Sequence, residues 1–186
     1  MIKKEKLSTS TLTLVALMTA VICMAAPFTI PIGPIPISLA TLVLYFAAYV
    51  LGWKKGCLAC LLYLLIGFVG IPVFSGFSGG VGKLFGPTGG YLIGYILFVW
   101  ITGWFAEKFS GKKMFYLLGM ICGTGACYAV GTVWFIYVTS SSISAAFTAC
   151  ILPFIPADLI KMGVAAVVAP SVRGRLVKAG YLKVGK

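Results

Sequence analysis

The sequence predicts an all-α integral membrane protein, a single domain (residues 1–186) of six transmembrane helices with both termini in the cytoplasm. Three observations predict it. Of the 186 residues 61% are apolar and 10% are charged, where a soluble domain carries about 25% charged residues. The runs 7–53 and 114–157 hold no charge at all. A membrane-spanning helix needs about 20 apolar residues, so each run accommodates two passes, or one pass and membrane-embedded loops. Finally, the basic residues fall in clusters: Lys3, Lys4 and Lys6; Lys54 and Lys55; Lys108, Lys112 and Lys113; then Arg173, Arg175, Lys178, Lys183 and Lys186. Chain enough for two crossings separates consecutive clusters, so all can lie on one side, in the positive-inside pattern. Every lysine and arginine except Lys83 and Lys161 is thereby assigned to the cytoplasm. Topology and attraction to anionic lipid account for the net charge of +12 without nucleic acid as a partner.

The first span is predicted near 10–28. Its KKEK start and the small residues near Ala25 and Ala26 resemble a signal peptide, but five further spans follow, which favours an uncleaved helix. Ala16 and Ala20, four residues apart, allow close helix approach. They serve either packing inside the bundle or docking of another membrane subunit. The first outer connection, 29–37, lies in "TIPIGPIPIS", with prolines at 31, 34 and 36. Non-helical chain at membrane depth requires burial in protein or a wet cavity.

Spans two and three, near 38–53 and 56–73, turn at Lys54 and Lys55. Cys57 and Cys60 form a CxxC, but zinc needs two more soft ligands and the chain has no histidine. Packing is the better reading for all six cysteines.

The second outer connection, 74–88, belongs to "GFSGGVGKLFGPTGG" (76–90), with seven glycines. It is not a phosphate-binding P-loop. Counting back from Gly82 and Lys83, the required first glycine falls on Phe77, and Leu84 replaces the magnesium-binding hydroxyl. The fourth span follows near 89–106, where Tyr91, Tyr95 and Trp100 either line a pocket or anchor at the interface, Tyr91 being the best pocket candidate. The fifth is predicted near 114–138. In the third outer connection, 139–155, Ser140 to Ser142 suggest a turn and the residues after them a short interfacial helix.

The sixth span, near 156–172, holds Asp158 and Lys161. A charge in mid-membrane costs about 2.5–3.5 kcal/mol on the translocon scale. Counted from Val172 at about 1.5 Å per residue, the two lie about 21 Å and about 16 Å up, in the outer half of a ~30 Å core. Pro156 suits the first helical position, which puts Asp158 in the first turn. At i and i+3 the side chains share a face. A self-neutralising structural pair is one reading, though an apolar pair would hold helices more cheaply. The other is a pair aimed at a polar ligand group, the default for intramembrane ionisable residues. Lys83, on the outer loop, either meets an anionic group or is simply solvated.

Three blocks, "GIPVFSGFSGGVGKLFGPTGGYLIGY" (70–95), "PIPIS" (34–38) and "PADLIK" (156–161), occur in an order that resembles the BioY family along nearly the whole chain. These are biotin-specific substrate-binding (S) components of energy-coupling factor transporters. The resemblance implies a compact six-helix bundle in a prokaryotic cell membrane, serving high-affinity biotin uptake, with the glycine-rich loop as an outer lid. It implies a ligand site of Asp158, Lys161 and Tyr91, with Ser38 from the first connection and Phe74, Phe77, Gly79, Gly80 and Lys83 from the lid. Asp158 would accept from a ureido N–H, and Lys161 would donate to the ureido carbonyl or a carboxylate. Where the family often has Thr and Gln after the prolines, this chain has Ser38 and Ala40, so any contact made by that glutamine is absent. The implied partners are a transmembrane coupling subunit, docked on Ala16 and Ala20, and two ATP-binding subunits. ATP is used only there, and no cofactor is implied for this chain.

Rival readings are a membrane enzyme, an S component for riboflavin or thiamine, and a structural subunit. The enzyme has little to work with: no histidine and three acidic residues, one of them in the membrane core.

Overall fold

The computed structural model describes residues 9–31, 35–110 and 112–182. Lys3, Lys4, Lys6, Pro34, Lys183 and Lys186 therefore lie outside the described residues. Within them the chain forms seven helices and one small β-hairpin: α1 (Thr9–Ala25), β1 (Thr29–Ile30), β2 (Ile37–Ser38), α2 (Ala40–Phe68), α3 (Val81–Phe85), α4 (Gly89–Lys108), α5 (Lys113–Thr139), α6 (Ile143–Cys150) and α7 (Phe154–Lys178). Four of these, α2, α4, α5 and α7, are long and apolar enough to cross a membrane. At 17 residues α1 is apolar but shorter.

The predicted second and third spans are two arms of α2, which breaks at Gly52 (φ 77°, ψ −178°). The arms fold back on each other. A Cβ placed on Gly56 would lie 3.2 Å from the carbonyl oxygen of Ala47, a residue about 13 Å away in an unbroken helix. Only glycine takes that φ without strain, and the Glu107 side chain fills the space a Cβ at Gly52 would need. The second arm stops at Phe68 rather than near 73, because Gly70 adopts φ 106° and Pro72 carries no N–H to continue the helix.

Cross-helix bonds set the direction of each element. The first arm of α2 and α7 run parallel: Thr41 reaches Asp158 at one end, and at the other Arg173 donates to the Tyr49 carbonyl at 2.9 Å. Ser10, at the start of α1, donates to the Tyr181 carbonyl just past α7 at 3.2 Å. Glu107, at the end of α4, covers the Gly52 turn. Lys54, Lys55, Lys108, Lys112 and Arg173 thus gather at one end of the bundle, and the hairpin and glycine-rich loop cap the other. α4 and α5 pack antiparallel and close, with Gly94 against Cys127 and Gly123 against Phe98 and Thr102. The interior is filled by Leu44, Tyr45, Tyr63, Phe98, Tyr116 and Met120 among others, while Met24, Val133, Ile160 and Val167 point outward. Helices apolar on every side suit a lipid surround.

Two details correct the expectations. The all-helical prediction omitted the hairpin, in which Thr29 pairs with Ser38 and Ile30 with Ile37. Prolines at the ends of such short strands cost no ladder bond. α7 begins at Phe154, so Pro156 is its third residue and Asp158 lies in the second turn. Proline is accommodated there because the first four N–H groups of a helix have no intrahelical partner. The short helix expected after Ser140–Ser142 is α6; Ser142 caps it, its hydroxyl accepting from the Ala145 N–H at 3.3 Å.

Candidate functional site

At the hairpin end a narrow cavity of about 40 Å³ lies between the hairpin, the first arm of α2, α4, α5 and α7. Its polar wall is built from Ser38, Thr41, Asp158 and Lys161. Tyr91, Tyr95, Phe98 and Phe154 supply aromatic surface.

The two charges are almost completely buried, Asp158 at 3% and Lys161 at 8% exposure. They pair at 3.0 Å through Asp158 Oδ1, one helical turn apart on α7. Burial of such a pair is tolerable only when the remaining hydrogen-bonding capacity is met, and here it is. The Lys161 ammonium donates to the Ser38 carbonyl at 2.8 Å, to Thr41 Oγ1 at 2.9 Å and to Asp158 Oδ1. That uses all three of its N–H bonds. Asp158 Oδ1 also accepts from the Thr41 hydroxyl at 3.3 Å, and Oδ2 accepts from the Tyr128 hydroxyl at 2.6 Å. Ser38 is itself fixed: its hydroxyl donates to the Ala26 carbonyl at 2.8 Å and accepts from the Ala40 N–H at 2.9 Å. The backbone carbonyl that holds Lys161 is therefore tied to both ends of the hairpin connection. The result is a donor and an acceptor side by side at the edge of an aromatic cavity.

Of the residues singled out in the sequence, Ser38, Tyr91, Asp158 and Lys161 meet at this cavity. Tyr91 does so with its hydroxyl engaged, by Thr132 at 3.0 Å and the Cys150 carbonyl at 3.3 Å. The lid residues lie elsewhere. Phe74 is fully buried edge-on to Tyr63 and against Gly67, on the second arm of α2. Phe77 is 62% exposed and meets Phe28 edge-on at 5.5 Å. Gly79 packs on the Ile71 carbonyl, Gly80 donates to the Gly67 carbonyl at 2.7 Å, and Lys83 sits half-buried on α3. None of the five lines the cavity. Their link to it is indirect: the Gly76 N–H donates to the Pro27 carbonyl at 3.1 Å, so the loop braces the hairpin that carries Ser38.

Ala16 and Ala20 are exposed on the outer face of α1, beside Leu17, Val21 and Met24. Their spacing does not serve packing inside the bundle. Trp100 is also outward, whereas Tyr95 lines the cavity. Among the described residues no group of three or more histidine, cysteine or acidic side chains is placed to hold a metal.

Sequence reasoning missed Thr41 and Tyr128. The available signal was weak: a hydroxyl at the start of one span and a tyrosine midway along another, neither charged.

The BioY family model matches residues 1–178. The biotin transporter BioY of Thermotoga maritima is 42% identical over 156 residues, covering 81% of this chain and 88% of that protein. The biotin transporter BioY of Rhizobium etli is 35% identical over 186 residues, covering 94% and 96%. Among solved structures, the S-component for biotin from an ECF-type ABC transporter superposes with a TM-score of 0.84 at 30% identity, over 94% of this chain and 95% of that one.

Proposed function

This chain belongs to the BioY family, and from that premise we propose that it binds biotin at the Asp158–Lys161 cluster as the S component of an energy-coupling factor transporter. The observation that carries the site is the 3.0 Å pairing of a buried carboxylate and ammonium at the edge of an aromatic cavity. A cyclic urea presents an N–H and a C=O side by side. Asp158 accepts from the N–H and Lys161 donates to the carbonyl, so the pair exchanges its internal partners for complementary ones. The sulfur-containing ring then rests against Tyr95, Phe98 and Phe154. At about 40 Å³ the cavity is far below the ~300 Å³ of a typical small-molecule site, so binding includes an opening step.

In the membrane, α1, the two arms of α2, α4, α5 and α7 make six crossings. The positive-inside pattern puts the lysine-rich end in the cytoplasm of a prokaryotic cell, with both termini, and the hairpin end outside. The protein acts by binding and uptake rather than by catalysis. Lacking a nucleotide-binding motif of its own, it draws energy from a transmembrane coupling subunit and two ATP-binding subunits. The exposed Ala16–Ala20 face of α1 is the docking surface for the coupling subunit, since small outward residues let a partner helix approach closely.

Calorimetry on the purified chain in detergent tests this reading. Biotin titrates to saturation with one site per chain, and riboflavin and thiamine give no heat. No binding of biotin by the folded protein, or preference for either other vitamin, overturns it.

A further inference from the structure

We propose that Tyr128 is a built-in stand-in for the ligand: its hydroxyl holds the seat on Asp158 Oδ2 that a ligand N–H later takes, and its ring must swing aside for the site to open. The inference rests on the reading of the cluster as the biotin site and adds a residue that controls entry to it.

Both carboxylate oxygens of Asp158 and all three N–H bonds of Lys161 already have partners. The three N–H bonds of Lys161 are all used, so a ligand that accepts from it must replace a partner, and a donor to Asp158 Oδ2 meets the hydroxyl of Tyr128 already there. The candidates for replacement differ in how firmly they are held. Lys161 is tied three ways, once to backbone. Thr41 bridges both charges and belongs to the first turn of α2. Tyr128 makes a single hydrogen bond, to Asp158, and comes from α5, whereas the other members belong to the hairpin, α2 and α7.

Steric arithmetic favours the same residue. Tyr128 lines the cavity, its ring is half-buried, and Phe154 meets it edge-on with the centroids 6.5 Å apart. Moving it breaks one hydrogen bond and removes a whole phenol ring from the cavity wall. Moving Lys161 would break three bonds and strand a buried charge. Tyrosine also rotates about only two side-chain torsions, so the opening costs little conformational order. In the empty site the hydroxyl keeps Asp158 solvated by protein, which avoids leaving a buried carboxylate oxygen without a donor.

The test uses the full-length chain in lipid nanodiscs, with biotin association followed by stopped-flow tryptophan fluorescence in the parent and in Tyr128→Phe. Removing only the hydroxyl leaves the ring but not its hold on Asp158. Association should become roughly 10–100-fold faster, with Kd falling in step, as expected when one competing hydrogen bond to a charged group is removed. Unchanged or slower association, or weaker binding, overturns the stand-in and makes the hydroxyl a contact that stays with the ligand. Absence of biotin binding by the folded parent overturns the biotin reading, and the stand-in with it. Should Tyr128→Phe fail to fold, fluorotyrosine placed at 128 in the otherwise unchanged chain decides the matter. Its fluorine resonance should move to a solvent-like position on saturation with biotin, and an unmoved resonance overturns the proposal.

Discussion

The hairpin, with its described residues 27–31 and 35–38, and the glycine-rich loop at 70–88 are both nearly uncharged and at the same end of the bundle, yet they do different work. The loop has the more eye-catching sequence, but Phe74, Phe77, Gly79, Gly80 and Lys83 all lie off the cavity. The hairpin supplies Ile35, Pro36 and Ser38 to it, including the carbonyl that fixes Lys161. Glycine in the loop permits tight turns and close approach to the end of α2, as where Gly80 reaches Gly67. Short strands in the hairpin instead hold a carbonyl in a set direction. The hairpin aims a backbone carbonyl at Lys161, and the loop braces that backbone through Gly76 and Pro27.

Substitutions can sharpen this contrast. Lys161→Ala removes the ammonium and leaves Asp158 buried without its counter-charge; thermal unfolding in detergent should show a loss of about 3–5 kcal/mol, together with loss of biotin binding. Phe74→Ala empties a fully buried site in the loop region. It should cost about 3 kcal/mol in the same assay, while the fraction that stays folded binds biotin within about threefold of the parent. A loss of affinity beyond that would put the loop in the site after all. Ser38→Ala deletes two hydrogen bonds that fix the hairpin; about 1–2 kcal/mol of stability should go, and affinity should fall more than in Phe74→Ala. Equal or smaller loss of affinity would erase the distinction drawn between the two regions.

Much of this architecture was legible in the sequence. Apolar runs and clustered lysines mark the bundle and its basic end, because charge in hydrocarbon is costly enough to leave a plain pattern. Asp158 and Lys161 stood out for the same reason, while the run Ser140 to Ser142 marked the turn before α6 by its turn-forming residues. Less legible was anything decided by packing. The strands of the hairpin are two residues each, and their prolines look like breakers. Gly52 gives no hint that its φ is positive or that Glu107 sits on it. Thr41 and Tyr128 are ordinary residues for an apolar helix, and only the convergence of α2, α5 and α7 gives them a role. The loop residues Phe74, Phe77, Gly79, Gly80 and Lys83 lie off the cavity, since glycine and phenylalanine in a nearby loop need not point into it.

One measurement tests the central claim most directly: biotin calorimetry on Asp158→Asn beside Phe77→Ala, both shown to be folded. The substitution at 158 removes the buried charge paired with Lys161, and the one at 77 removes a large, exposed loop side chain. If the site is the cluster under the hairpin, Asp158→Asn weakens binding by roughly 10–100-fold, as expected for loss of a charged hydrogen bond, and Phe77→Ala leaves it within about threefold. The reverse pattern, with Asp158→Asn binding like the parent and Phe77→Ala losing the ligand, would contradict the account.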